Sequence, residues 1–121
     1  KRRHVARMYM ERLRGDDRLT LQRVPADVEI SWFVFVVRLS DEYTQAQRDA
    51  IMAALRERGI GCNNYFSPIH LQPFYVERFG YKAGDFPVTE ALAQRTIALP
   101  FHNHLTESEI DRVVTTLRSL L

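Results

Sequence analysis

The sequence predicts an α+β fold, a small antiparallel or mixed sheet of about three strands with helices packed on it, and three observations predict it. Ser31 to Leu39 (SWFVFVVRL) is dense in β-branched and aromatic residues. Thr106-x-x-Glu109 opens a strongly amphipathic closing segment. The 121 residues, 45% apolar and 26% charged, make one domain able to enclose a core without disulfides. The order of elements, helix and strand alternating with short connections, suits a sheet with helices on it.

Val5, Met8, Tyr9 and Leu13 recur at helical spacing, and Gly15-Asp16-Asp17 ends that first helix. No capping residue precedes it, which suggests a cut within a longer chain. The stretch to Glu29, with Pro25 inside it, reads as a connection with room for one short extended piece. Ser31 to Leu39 is apolar on both faces and therefore predicts a central strand covered on both sides. Asp41 or Thr44 can cap a helix to about Arg58, with Ile51, Met52, Ala54 and Leu55 as its buried stripe and Gly59 as its stop. Ile60 to Phe66 predicts a second strand, interrupted by the polar pair Asn63-Asn64.

His70 to Phe79 predicts a short helix or helical turn closed by Gly80. Pro87 predicts the first residue of another helix, to about Arg95, because its missing N–H costs nothing there. Thr96 to Leu99, followed by Pro100, predicts a brief edge strand. Leu105 and Ile110 are placed as a hydrophobic staple around the Thr106–Glu109 capping box, and Ile110, Val113, Val114, Leu117 and Leu120 or Leu121 form the apolar face of the last helix.

Composition narrows the function. The longest apolar run, Trp32 to Val37, is far short of the roughly 20 residues that span a bilayer, and no signal peptide is legible, so a cytoplasmic protein without membrane contact is expected. Cys62 is the single cysteine and excludes an internal disulfide. The basic residues concentrate before position 24, in Arg2, Arg3, Arg7, Arg12, Arg14, Arg18 and Arg23. With Glu11, Asp16 and Asp17 beside them, and with no nucleic-acid-binding signature, they read as a solvated helix face and not as a nucleic-acid surface. Cys62, His70, His102 and His104 lack the tight paired spacing of a metal site. Ser67 lacks a nucleophile-elbow context and Cys62 lacks a nearby base, so no nucleophile is predicted.

Gly59 to Tyr75 (GIGCNNYFSPIHLQPFY) holds the densest set of ligand-competent side chains. Asn63, Asn64 and Gln72 donate and accept, Tyr65 and Phe66 offer stacking faces, and His70 titrates near neutral pH. The alternative is a Pro-stiffened turn in which the amides meet water and His70 bonds a backbone carbonyl. Read this way alone, the chain could equally be a free-standing α+β module for a small ligand or protein partner.

GIG, then Tyr65, Phe66, Pro68, His70 and Pro73, then Phe86-Pro87 with Glu90, then Ala98-Leu99-Pro100 and a capped helix near Leu105-Thr106, together resemble the carboxy-terminal domain of the DegT/StrS sugar aminotransferases. SWFVFVVRL resembles that domain's first strand. The resemblance covers nearly the whole chain in order, and it favours the ligand-site reading of Gly59 to Tyr75.

It implies an aminotransferase small domain, 1–121, from a homodimeric pyridoxal-phosphate enzyme that moves an amino group from glutamate to a nucleotide-linked keto sugar. The Schiff-base lysine and cofactor contacts lie, on this resemblance, in a large amino-terminal domain outside this chain. No catalytic residue, metal or cofactor is therefore expected here, and neither Lys1 nor Lys82 matches the family lysine. Asn63, Asn64, Tyr65, Phe66 and His70 are the implied sugar-nucleotide contacts. Asn63 stands where many relatives carry Arg, and Cys62 where many carry Thr. Relatives with the same fold that act as sugar dehydratases are equally compatible with these residues.

Overall fold

The computed structural model describes residues 1–121. Its elements are α1 (Arg2–Leu13), β1 (Leu19–Leu21), β2 (Phe35–Leu39), α2 (Gln45–Glu57), a single 3-10 turn (Ile69–Leu71), α3 (Pro73–Phe79), α4 (Pro87–Ala93), β3 (Thr96–Leu99) and α5 (Glu107–Leu120). The three strands form one antiparallel sheet in the order β1-β2-β3, so the α+β expectation of a three-stranded sheet holds. No helix is long and apolar enough to cross a membrane.

Strand register explains which face is buried. Leu19 opposes Leu39, Leu21 opposes Val37 and Val37 opposes Ile97, while Phe35 opposes Leu99. Because directly paired residues share a face, this puts one apolar row against the helices. Phe35, Val37 and Leu39 are buried there, whereas Val36 and Arg38 on the other face are only half-buried. The apolar run is thus a central strand with one covered face, and it is shorter than its composition suggests: Ser31 to Val34 lie outside it, with Trp32 folded into the core and Phe33 exposed.

α1 and α5 pack on each other and α2 on α5. Val5, Met8, Tyr9 and Leu13 meet Ile110, Val113, Val114 and Leu117, all nearly inaccessible to solvent. Each such side chain contributes about 1.5–3 kcal/mol relative to exposure. Tyr9 stacks on Phe35 at 4.8 Å between ring centres and donates its hydroxyl to Pro100 O at 2.9 Å. Both long capped helices begin with a complete capping box, Thr44 with Gln47 and Thr106 with Glu109. Thr44, not Asp41, is the cap of α2; Asp41 pairs instead with Arg38 and Arg95.

Three expectations fail locally. Ile60 to Phe66 is not a strand: only Asn63 makes a bridge, exchanging backbone hydrogen bonds with Ala98 across the free edge of β3. The third strand is Leu19–Leu21, which lies in the early connection. His70 to Phe79 is broken by Pro73 into the 3-10 turn and α3, which ends at Gly80 with φ +70°, a left-handed conformation that glycine adopts without a Cβ clash. α4 stops at Ala93, two residues early, as Arg95 turns to donate to Tyr43 O.

Candidate functional site

The Asn63 to His70 segment leaves the β3 edge and wraps over the α2–α4 end of the sheet. Its start is pinned by backbone groups: the Asn63–Ala98 bridge, the Thr96 hydroxyl donating to Tyr65 O at 3.1 Å, and the Arg56 guanidinium donating to Cys62 O at 2.9 Å. Holding the main chain at both sides frees the side chains to face outward. Asn63 Oδ1 accepts from the Asn64 backbone N–H, and Asn64 Nδ2 donates to Ser67 Oγ at 3.2 Å. The Tyr65 and Phe66 rings lie 4.0 Å apart, with Phe66 61% exposed.

His70 is different, being buried. Its Nε2 bonds Glu90 Oε1 at 2.9 Å, and its ring lies 4.8 Å from that of Phe86 and 6.4 Å from that of Tyr81. Glu90 also accepts from the backbone N–H of Gly84 at 2.9 Å and of Phe86 at 3.4 Å. The His70 hydrogen bond first, and those N–H groups after it, hold the Glu90 carboxyl below its ordinary range. Glu90 therefore ties the 3-10 turn, the 81–86 loop and the start of α4 into one piece.

The predicted residues are not gathered into a single cleft. Asn64 lines a cavity of about 320 Å³ with Gln45, Arg48, Ser67, Glu90 and Gln94. Tyr65 and Phe66 line a depression of about 260 Å³ against Thr89 and Leu92. His70 borders a third, of about 320 Å³, with Ile69, Tyr75 and Phe86. Asn63 is exposed on the open side of the sheet edge.

Composition did not single out Arg48 or Glu90. Arg48 sits on the buried stripe of α2, three and four residues before Ile51 and Met52, and that spacing was the available signal. For Glu90 the signal was its place in the first turn of the helix that Pro87 opens.

Other candidates do not converge. Cys62 is half-buried with Sγ toward Met52 O, and burial pushes its thiol up, away from the reactive thiolate. His102 Nδ1 accepts from the His104 backbone N–H within their own exposed loop. No three His, Cys, Asp or Glu side chains meet as metal ligands would. Lys82 is exposed in the 81–86 loop, and Lys1 is exposed ahead of α1.

Residues 1–118 match the model of the DegT/DnrJ/EryC1/StrS aminotransferase family. The chain belongs to that family. A curated relative, an uncharacterised protein of Methanocaldococcus jannaschii, is 28% identical over all 121 residues, which span 31% of its length. A DegT/DnrJ/EryC1/StrS aminotransferase from Brucella abortus is 29% identical with a TM-score of 0.77, over 98% of this chain and 30% of that one. S. venezuelae DesV, solved in complex with a ketimine intermediate, is 28% identical with a TM-score of 0.83, over 98% of this chain and 30% of that one. The chain thus spans about a third of the length of the proteins it matches.

Proposed function

We propose that the chain is the carboxy-terminal small domain of a cytoplasmic, homodimeric, pyridoxal-phosphate-dependent sugar aminotransferase. In this reading the parent protein transfers an amino group, with glutamate as donor, to a nucleotide-linked keto sugar in polysaccharide or deoxysugar biosynthesis. The large cofactor-binding domain is a further part of the parent, and the 121 residues alone are inactive. The observation that carries the reading is the Asn63–His70 segment, a pinned backbone presenting amides and two exposed rings, in a chain whose family is that of the aminotransferases.

The cofactor, held elsewhere in the parent, would supply the electron sink for amino transfer. The work left to this domain is binding and orientation. Asn63 and Asn64 offer donors and acceptors to sugar hydroxyls, and Tyr65 with Phe66 offers a flat apolar face to a sugar or base ring. His70, anchored by Glu90, fixes where the segment turns, so that its contribution to substrate is through ring placement and exclusion of water.

The test is made on the parent protein: absorbance of the bound cofactor, then amino transfer from glutamate to a UDP- or GDP-linked keto sugar. Bound cofactor with transfer supports the reading. Cofactor with loss of a sugar hydroxyl in place of amination points to dehydratase chemistry, and absence of both defeats it in favour of a free-standing binding module.

A further inference from the structure

The cavity between α2, the 64–71 segment and α4 contains a donor that nothing in the chain uses. Arg48 is 3% exposed. Its Nε donates to Asp49 Oδ1 at 2.7 Å, and its Nη1 donates to the carbonyls of Ala93 at 3.0 Å and Thr96 at 2.9 Å. Nη2 bonds no group of the protein. The one side-chain nitrogen or oxygen that is both sealed from solvent and unpaired is Arg38 Nε. Arg48 Nη2 therefore retains accessible surface, and the space that Arg48 lines is this cavity of about 320 Å³.

The remaining lining defines the ligand chemistry. Asp49 offsets the guanidinium charge, and the Glu90 carboxylate, with its acceptor sites taken by His70, Gly84 N–H and Phe86 N–H, adds a negative charge that disfavours an anionic ligand. A single free NH2 group cannot make the paired fork that fixes a carboxylate or phosphate. What stays free are the side-chain amides of Gln45 and Gln94, the Asn64 Oδ1 and the Ser67 hydroxyl proton. Those groups donate and accept in alternation, which is what a hydroxyl-bearing ring requires. The volume falls at the small end of ligand pockets.

We propose that this cavity binds a neutral, hydroxyl-rich ligand of about one sugar ring, with Arg48 Nη2 donating to a ring or hydroxyl oxygen and Gln45, Gln94 and Ser67 bonding its hydroxyls. The site shares Asn64 with the proposed substrate contacts and otherwise stands on α2 and α4. It does not depend on the aminotransferase reading.

Saturation-transfer NMR on the full-length protein tests it, with D-glucose and N-acetyl-D-glucosamine as probes and inorganic phosphate as competitor. Gln45→Ala with Gln94→Ala is the informative variant, since both side chains are exposed and bond nothing in the fold. The expected result is a saturable millimolar sugar signal, unaffected by equimolar phosphate and weakened about tenfold in the double variant, as two lost neutral hydrogen bonds imply. A signal that phosphate displaces, one that the double variant leaves unchanged, or no saturable signal overturns the proposal. Cofactor absorbance in the same sample reports separately on the aminotransferase reading, so either can fail alone.

Discussion

Glu90 accepts a hydrogen bond from His70 Nε2 at 2.9 Å across twenty residues of chain, and the same carboxylate receives the backbone N–H groups of Gly84 and Phe86. A single side chain thus closes the loop between α3 and α4 onto the segment that carries the candidate site. Because the ionised form is the one these donors favour, Glu90 contributes stability above its ordinary pKa of 4.5 and loses it as pH falls through the lower folded value. Glu90→Gln should lower the urea midpoint at neutral pH, and the gap to the parent sequence should narrow as pH falls below about 4.5. A gap independent of pH would mean that the carboxylate's charge plays no part in the clasp.

Asp16 performs a similar closure at the other end of the sheet. Its carboxylate takes Arg18 Nε and Nη2, each at 2.8 Å, and Arg118 Nε at 3.2 Å, joining the α1–β1 turn to the last turn of α5. The Arg18 hydrogen bonds, foremost, bring its carboxyl down from 3.8 to about 2. The stabilisation is present above pH 3.8 and lost toward pH 2, so Asp16→Asn should cost about 1–2 kcal/mol at neutral pH and almost nothing at the acid end. Urea titrations of both proteins across that window measure it.

The pattern of what was legible in the sequence follows from these contacts. Period and caps are local properties, and they located α2, α5 and the strand at Phe35–Leu39. Strand pairing is not local. Leu19–Leu21 is too short to announce itself and is a strand because Leu39, Arg38 and Val37 lie opposite it. Ile60 to Phe66 has strand composition but lies at the outer edge, where the Thr96 and Arg56 side chains take its carbonyls and leave one bridge. In the candidate site the sequence marked the side chains that point out, Asn63 to Phe66, while Arg48, buried against the Ala93 and Thr96 carbonyls, and Glu90, half-buried on His70, carry charges that composition assigns to solvent.

Tyr9 gives an alkaline counterpart. It is fully buried on Phe35, its hydroxyl bonds Pro100 O, and burial, with the Glu109 charge adding, pushes its phenol well above the ordinary value of 10.0. The folded state keeps the proton after the unfolded chain has lost it, so stability is full below pH 10 and declines above it. Tyr9→Phe should cost about 1 kcal/mol at neutral pH through the lost hydrogen bond and should lose less stability than the parent sequence as pH rises past 10. Thermal melts on either side of pH 10 check both signs.

The two rings at Tyr65 and Phe66 separate binding from folding. An aromatic residue that is 61% exposed removes little apolar surface from water, so Phe66→Ala should shift stability by no more than about 0.5 kcal/mol. Phe35→Ala, fully buried and stacked between Tyr9 and Trp32, should cost about 3–5 kcal/mol and serves as the contrast. If Phe66 presents a face to substrate, its loss in the full-length protein raises KM for the keto sugar with kcat nearly unchanged, because a stacking contact made equally in ground and transition states is uniform binding. A lowered melting temperature with unchanged KM would make the ring pair a packing element of the 64–71 turn, and Asn63 and Asn64 would then be left to carry recognition.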